Sequence, residues 1–178
     1  MKVLIPLAEG FDEMEAITTA NVLRRAGIEV TLAGVPGTIV QGARKIKVIA
    51  DKNIEDVESE DFDAIVLPGG NPGYINLSKS KRVTKMITDM NERGKLVAAI
   101  CGSPSILAKL GILDNKRATI YPGMERELPK PRTGKVIVDG NIITSQGPGT
   151  AVDFALEIIT KLQSKFKADD MREQLVYQ

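Results

Sequence analysis

Apolar residues follow two alternating patterns along this chain, namely short unbroken runs and spacings of three or four residues. The short runs end in turn residues, and they predict buried strands at 2–7, 28–33, 63–67 and 96–100. The longer spacings between the runs predict amphipathic helices. Strands that alternate with helices favour an α/β fold in which a doubly wound, mostly parallel sheet carries helices on both faces.

The predicted helices have recognisable ends. The first follows Asp12, a residue type that caps helix N-termini, and it runs to Arg25 before Gly27 closes it. Further helices are predicted at 80–93 and 151–162, and a short one begins near Pro104. The charged segment after residue 164 is compatible with a final docked helix or a loose end.

The remaining stretches predict smaller features. Hairpins are indicated at 38–49 and at 136–144, where Asp139-Gly140 supplies the turn of the second. A short strand is predicted at 117–120 and a polar, proline-containing loop at 124–133. We expect one domain that covers residues 1–178.

Composition and charge narrow the classes of partner. The net charge of the 178 residues is +1, which favours neither nucleic acid nor an anionic membrane. No apolar run approaches the length of a transmembrane helix, and the start of the chain lacks the pattern of a signal peptide. We therefore expect a cytoplasmic protein with no membrane or nucleic-acid partner.

The chain contains one cysteine and no histidine. Without histidine, one chain cannot assemble a Ser-His-Asp or Cys-His catalytic site, and a lone cysteine cannot build a thiolate zinc site. No metal site is expected. Acid–base chemistry must then fall to a carboxyl group, a lysine, a tyrosine or the thiol itself.

The cysteine, Cys101, lies where the strand at 96–100 turns into the helix near Pro104. This position exposes a side chain at the end of a sheet, and the positive end of a helix lowers a thiol pKa. A helix end stabilises a thiolate by about 1 kcal/mol, whereas a thiol that is mostly ionised at neutral pH needs roughly 4 kcal/mol of such stabilisation. A second stabilising group is therefore required. The alternative is that Cys101 is a small buried hydrophobe.

Two further features lie in loops at the predicted carboxyl ends of strands, where α/β proteins bind ligands. Glu15, among apolar neighbours in the first helix, could face inward with a raised pKa or simply favour the helix start from solvent. Gly69 and Gly70 offer backbone N–H groups for an oxyanion, or merely make a tight turn. A phosphate or flavin site lacks support because no G-x-G-x-x-G or Walker pattern is present.

Four motifs taken together resemble the ThiJ/PfpI superfamily, and most closely its branch that contains the parkinsonism-associated deglycase. They are GFDEME at 10–15, VLPGGN at 66–71, AAICGSP at 98–104 and TSQGPGT at 144–150. The resemblance extends over nearly the whole chain in order. It implies a flavodoxin-like fold, a homodimer and a reactive cysteine on a strained nucleophile elbow.

The resemblance also implies roles for individual residues. It makes Cys101 and Glu15 the catalytic pair, the glutamate being protonated and hydrogen-bonded to sulfur, and it places the N–H groups of Gly70 and Gly102 beside that sulfur. The pocket residues that it implies are Gly69, Asn71, Tyr121, Arg44, Gln146 and Pro148. The implied activity is cofactor-free conversion of methylglyoxal or glyoxal, or repair of their protein adducts, with a stress-protective role.

Three positions depart from the superfamily's pattern. Gly102 follows the cysteine where protease-like members have histidine, which weakens the peptidase alternative. Tyr121 and Gln146 stand where relatives often have histidine and arginine, so the implied anion-binding corner has one charge fewer. A second alternative is a redox sensor or chaperone whose cysteine oxidises to a sulfinate.

Overall fold

A sheet of seven strands forms the centre of the computed structural model, which describes all residues from 1 to 178. In spatial order the sheet is β5-β2-β1-β6-β7-β9-β8, and every neighbouring pair is parallel except β8 with β9. Its strands are β1 (Lys2–Ala8), β2 (Glu29–Val35), β5 (Lys52–Asn53), β6 (Ala64–Leu67), β7 (Leu96–Ile100), β8 (Val136–Asp139) and β9 (Ile142–Ser145). A separate antiparallel hairpin joins β3 (Ile39–Gln41) and β4 (Lys47–Ile49).

Helices cover both faces of the sheet, so the predicted α/β architecture is confirmed. They are α1 (Glu13–Arg25), α2 (Gly73–Lys79), α3 (Lys81–Glu92), α4 (Pro104–Lys109), α5 (Ala151–Leu162) and α6 (Lys165–Gln174). None of them is long and apolar enough to cross a membrane.

Each face of the sheet builds its own hydrophobic core, because successive strand side chains point to opposite sides. In β1, for example, Val3 and Ile5 join the core under α1, α5 and α6, whereas Leu4 joins the core under α2, α3 and α4. Phe154 of α5 is fully buried in the first core and Ile87 of α3 in the second. Strands buried on both faces explain the unbroken apolar runs of the sequence.

The ends of α1 follow the sequence prediction. The Asp12 side chain accepts a hydrogen bond from the Glu15 N–H, and Gly27 has the positive φ of +76° that ends the helix. The apolar residues Met14 and Ile17 nevertheless lie on its outer side, where they are 61% and 38% exposed. The buried face of α1 combines the apolar residues Ala16, Ala20, Val22 and Leu23 with the polar residues Glu13, Glu15 and Thr19.

The predicted strand at 117–120 is wrong. Ala118 makes only an isolated bridge to Pro131, and the Thr119 N–H donates to the side-chain Oγ1 of Thr144 rather than to a strand backbone. Thr144 belongs to β9, which already pairs with β7 and β8 on its two edges. The sheet therefore has no free edge at this place for another strand.

Two elements were not predicted, and one open question is resolved. The helix α2 follows the glycine-rich loop after β6, and the two-residue strand β5 extends the sheet beside β2. The segment at the end of the chain forms the helix α6, with Ala168 and Met171 buried against the first core. Because β1, β6 and β7 are parallel neighbours, the loops that follow them meet at one end of the sheet.

Candidate active site

Cys101 lies at the sharp turn between β7 and α4, as the sequence predicts. Its φ of +64° is in the left-handed region, which costs a residue with a Cβ roughly 1–3 kcal/mol unless its surroundings hold it there. Two backbone hydrogen bonds do so, since the Cys101 N–H donates to Ser145 O at 3.0 Å and its carbonyl accepts from Tyr121 N at 2.9 Å. This is the geometry expected of a nucleophile elbow, and it leaves the side chain half-buried.

The Gly69-Gly70 turn after β6 fits against the cysteine. A Cβ atom on Gly69 would come within 2.4 Å of Cys101 Cβ and 2.7 Å of Glu15 Oε2, so only glycine leaves room for both side chains. Gly70 has a φ of +90°, which favours glycine on backbone grounds alone. The N–H groups of Gly70 and Gly102 both donate hydrogen bonds towards the sulfur.

Glu15 faces inward from the first turn of α1 and is only 1% exposed. Its Oε2 accepts a hydrogen bond from Gly69 N at 2.7 Å, its Oε1 is buried with no hydrogen-bond partner, and the carboxyl lies beside the Cys101 side chain. Burial raises the pKa of the Glu15 carboxyl to about 8, and the charge of Asp12 adds to this effect. The inward alternative for Glu15 is therefore confirmed, and the carboxyl holds its proton at neutral pH.

The lowered pKa expected for Cys101 is not found. Burial raises the pKa of the thiol to about 12, a charged Glu15 raises it further, and the N–H groups of Gly70 and Gly102 oppose the shift. The helix α4 has six residues and begins three positions after the cysteine, so its end is too weak to outweigh burial.

The thiol and the carboxyl act as one titrating pair. Below about pH 8 Glu15 is neutral, so its charge no longer opposes ionisation of the sulfur, and its proton is available for donation to the sulfur. The first proton that leaves such a pair belongs to both groups, and its loss creates either a thiolate beside a carboxylic acid or a thiol beside a carboxylate. The N–H groups of Gly70 and Gly102 stabilise the thiolate of the first state, and the N–H group of Gly69 stabilises the carboxylate of the second.

A cavity of about 300 Å³ opens above the sulfur. That volume suits a small molecule. Ten residues line it: Asp12, Arg44, Gly70, Asn71, Tyr74, Cys101, Gly102, Tyr121, Met124 and Pro148. The structure thus brings together most of the site residues expected from the sequence. No group of three or more acidic or cysteine side chains is placed to hold a metal ion.

Two expected pocket residues do not line the cavity. Gln146 is half-buried at the end of β9, and its N–H donates to Lys135 O at 3.2 Å, on the side of the neighbouring β8. Gly69 lies beneath the pair formed by Glu15 and Cys101 instead of on the cavity wall. From the 144–150 turn only Pro148 reaches the cavity.

Three lining residues were not anticipated as pocket residues. The sequence predicts Asp12 only as a helix cap, although it also faces the cavity. Tyr74, in the unpredicted helix α2, packs so closely on Gly102 that a Cβ there would be 2.9 Å from its ring. Met124 lies in the long loop that follows Tyr121, where no sequence signal marked it.

Comparison with known proteins gives one consistent result. The family model described as DJ-1/PfpI matches residues 1–161. Protein dj-1beta of Drosophila melanogaster is 41% identical over 178 residues, which cover 97% of this chain and 95% of that protein. The glutathione-independent glyoxalase DJR-1.2 of Caenorhabditis elegans is 32% identical, with 97% of this chain and 94% of that protein covered.

Solved structures agree with the sequence comparisons. The structure of oxidized DJ-1 from Toxoplasma gondii superposes with a TM-score of 0.96 at 40% identity, covering 99% of this chain and 98% of that one. The fold, the order of the motifs and the sequence identity all lead to the same assignment. The chain belongs to the DJ-1/PfpI family.

Proposed function

We propose that this protein is a cysteine-dependent enzyme that needs no cofactor and converts small reactive dicarbonyls, such as methylglyoxal and glyoxal, or their protein adducts. The observation that carries the proposal is the buried carboxyl of Glu15 beside the Cys101 sulfur, beneath a cavity of about 300 Å³. The relative named a glutathione-independent glyoxalase supports the same reaction class. A stress-protective role would follow from removal of such electrophiles.

In the first step the Cys101 thiolate adds to the aldehyde carbon of methylglyoxal. A carbon–sulfur bond forms, the carbonyl π electrons move to oxygen, and a hemithioacetal results after that oxygen takes a proton. The N–H groups of Gly70 and Gly102 point towards the sulfur, so they are placed to stabilise the developing oxyanion next to it. Glu15 can donate this proton because its carboxyl is neutral below about pH 8.

In the second step a proton leaves the former aldehyde carbon and a proton is delivered to the neighbouring ketone carbon. The first carbon is thereby oxidised to a thioester and the second reduced to an alcohol, so no external oxidant or reductant is consumed. Glu15 is the group that carries these protons, since its pKa of about 8 suits both uptake and release near neutral pH. Water then cleaves the carbon–sulfur bond, which releases lactate and the thiol; glyoxal gives glycolate in the same way.

Replacement of Glu15 by Gln tests whether Glu15 carries the protons of the reaction. Gln keeps an oxygen that accepts from the Gly69 N–H but carries no titratable proton, so we expect lactate formation to fall by about 10²-fold or more while the fold persists. Circular dichroism and the thermal midpoint serve as controls for folding. Turnover equal to that of the wild type would remove Glu15 from the mechanism.

A second candidate function is redox sensing through Cys101. The observation in its favour is that one similar solved structure, that of Toxoplasma gondii DJ-1, is named as oxidized. A partly exposed thiol flanked by two N–H donors has room and partners for added oxygen atoms. Peroxide treatment followed by intact-mass analysis would then give a two-oxygen adduct that the Cys101→Ser variant lacks, and absence of the adduct in the wild type would argue against sensing.

A further inference from the structure

Glu13, the first residue of α1, is a buried acid that the proposed reaction does not use. It is 7% exposed, and its Oε1 accepts hydrogen bonds from Arg44 N at 2.8 Å and Ile46 N at 3.3 Å. Its Oε2 is buried with no hydrogen-bond partner. A buried carboxylate with one unpaired oxygen is costly, so a role in helix-start electrostatics alone does not explain its inward position.

The segment that Glu13 holds is the loop between β3 and β4, residues 42–46. Its start fits closely on the carboxyl group, because a Cβ on Gly42 would lie 2.3 Å from Glu13 Cδ and Oε1. The loop is also fastened to the β1–α1 connection by the Ala43 N–H, which donates to Phe11 O at 2.8 Å. Glu13 therefore provides the side-chain contact that sets the loop's position against α1.

The loop carries Arg44 to the cavity. Arg44 is the one cationic residue among those that line the cavity, and it makes no ion pair. The one acidic residue on the lining is Asp12. A guanidinium group at this place attracts a negatively charged group on a molecule that approaches Cys101. The effect depends on where the loop holds the guanidinium, since the interaction weakens with distance.

We propose that Glu13 is a positioning residue: it fixes the 42–46 loop so that Arg44 faces the cavity, and it thereby makes Cys101 prefer electrophiles that carry a negative charge. The consequence for substrates rests on the proposed function: the protein would convert dicarbonyls with an anionic substituent in preference to neutral ones. Its test does not need turnover, so a failure of the proposed enzymatic activity and a failure of this inference are distinguishable.

The test compares alkylation of Cys101 by iodoacetate and by iodoacetamide, two reagents of similar size that differ in charge. Both rates are followed by intact mass, and the ratio of the two cancels changes in the reactivity of the thiol itself. Because Asp12 also faces the cavity, each variant is compared with the wild type and not with free cysteine. We expect Arg44→Met to lower the ratio about fivefold, which corresponds to about 1 kcal/mol for two charges roughly 4 Å apart in water.

Variants of Glu13 separate positioning from simple charge. Removing a negative charge would raise the preference for iodoacetate if Glu13 acted only through its field, whereas loss of positioning lowers it. We expect Glu13→Ala to lower the ratio towards that of Arg44→Met, and Glu13→Gln, which keeps an acceptor for the Arg44 N–H, to retain the wild-type ratio or exceed it. Gly42→Ala changes no charge but crowds the carboxyl, so it should lower the ratio as well.

Two results would overturn the inference. An unchanged ratio in Arg44→Met means that Arg44 does not act on the cavity, and an unchanged or raised ratio in both Glu13→Ala and Gly42→Ala means that Glu13 does not position it. Gly42→Ala keeps the question answerable if Glu13→Ala fails to fold, because it leaves the buried acid in place.

Discussion

At the residue scale the proposed activity depends on one contact, that between the carboxyl of Glu15 and the side chain of Cys101. Glu15 could be singled out from sequence because an acid with apolar neighbours near a helix start is a candidate for burial. Its pKa could not be predicted, since burial dominates the shift and depends on residues from β6 and β7 that the sequence keeps far away. Burial by distant residues also raises the pKa of the Cys101 thiol, whereas its position before a helix predicts a lowered one.

The raised pKa of Glu15 has a consequence for stability. The unfolded chain releases this proton near the ordinary value of 4.5, whereas the folded protein keeps it until about pH 8. The unfolded state therefore binds fewer protons in that interval, and stability falls as pH rises from 4.5 to 8. Glu15→Gln does not titrate, so its stability relative to the wild type should increase across the interval by a few kcal/mol, about 5 kcal/mol at most.

Urea unfolding of both proteins at pH 5 and pH 8 measures this difference. Glu9→Gln is the matched control, because Glu9 is exposed near the same helix and its replacement should leave the pH dependence of stability as in the wild type. A gap between Glu15→Gln and the wild type that stays constant with pH would show that Glu15 is not protonated by the fold.

At the scale of elements, the site depends on the close approach of the β6 turn to the β7–α4 junction. The runs of apolar residues predicted β6 and β7 well, because strands buried on both faces consist of unbroken apolar residues. The helix α2 was missed for a physical reason: it has seven residues, no side-chain cap and only Gly73 and Leu77 buried, so it shows no apolar period. Because α2 was not predicted, its Tyr74 was not predicted to line the cavity either.

Gly69→Ala tests the packing of these two elements. The added methyl group would lie 2.4 Å from Cys101 Cβ and 3.0 Å from Sγ, so something must shift. We expect a loss of about 1–3 kcal/mol in unfolding free energy, typical of an overpacked core, together with a fall in lactate formation.

Gly149→Ala is the control for the Gly69 variant, because Gly149 lies in another loop near the cavity and has no atom within 4 Å of an added Cβ. It should retain both stability and turnover. If Gly69→Ala behaves in the same way as Gly149→Ala, the tight contact between the turn and the cysteine is not required.

At the scale of the whole molecule, a patch of exposed apolar side chains stands out. The apolar patch consists of Met14 and Ile17 on α1 and Ile39, Ile46 and Ile49 on the β3–β4 hairpin. Ile39 and Ile49 are register partners, and the hydrogen bond from Ile46 N to Glu13 joins the hairpin to α1. Exposed apolar surface shared by two elements is typical of an interface, so we expect the homodimer that the family resemblance implies to use this patch.

A single charge in the patch should therefore separate the copies. Ile49 is 77% exposed, so Ile49→Lys costs the isolated chain little but would bury an unpaired ammonium in a dimer. Light scattering after size exclusion should give a dimer for the wild type and a monomer for the variant. Phe166→Lys, an exposed apolar residue of α6 outside the patch, should remain dimeric; a monomeric wild type would contradict the inference.

The most direct test of the proposed mechanism is lactate production from methylglyoxal by the wild type and by Cys101→Ala. Both proteins should be folded by circular dichroism and of equal size in solution, since Cys101 is only half-buried and its truncation is mild. The proposed mechanism predicts lactate from the wild type and none above the uncatalysed background from the variant. Equal lactate from the two folded proteins would contradict it, because the reaction would then not pass through the sulfur of Cys101.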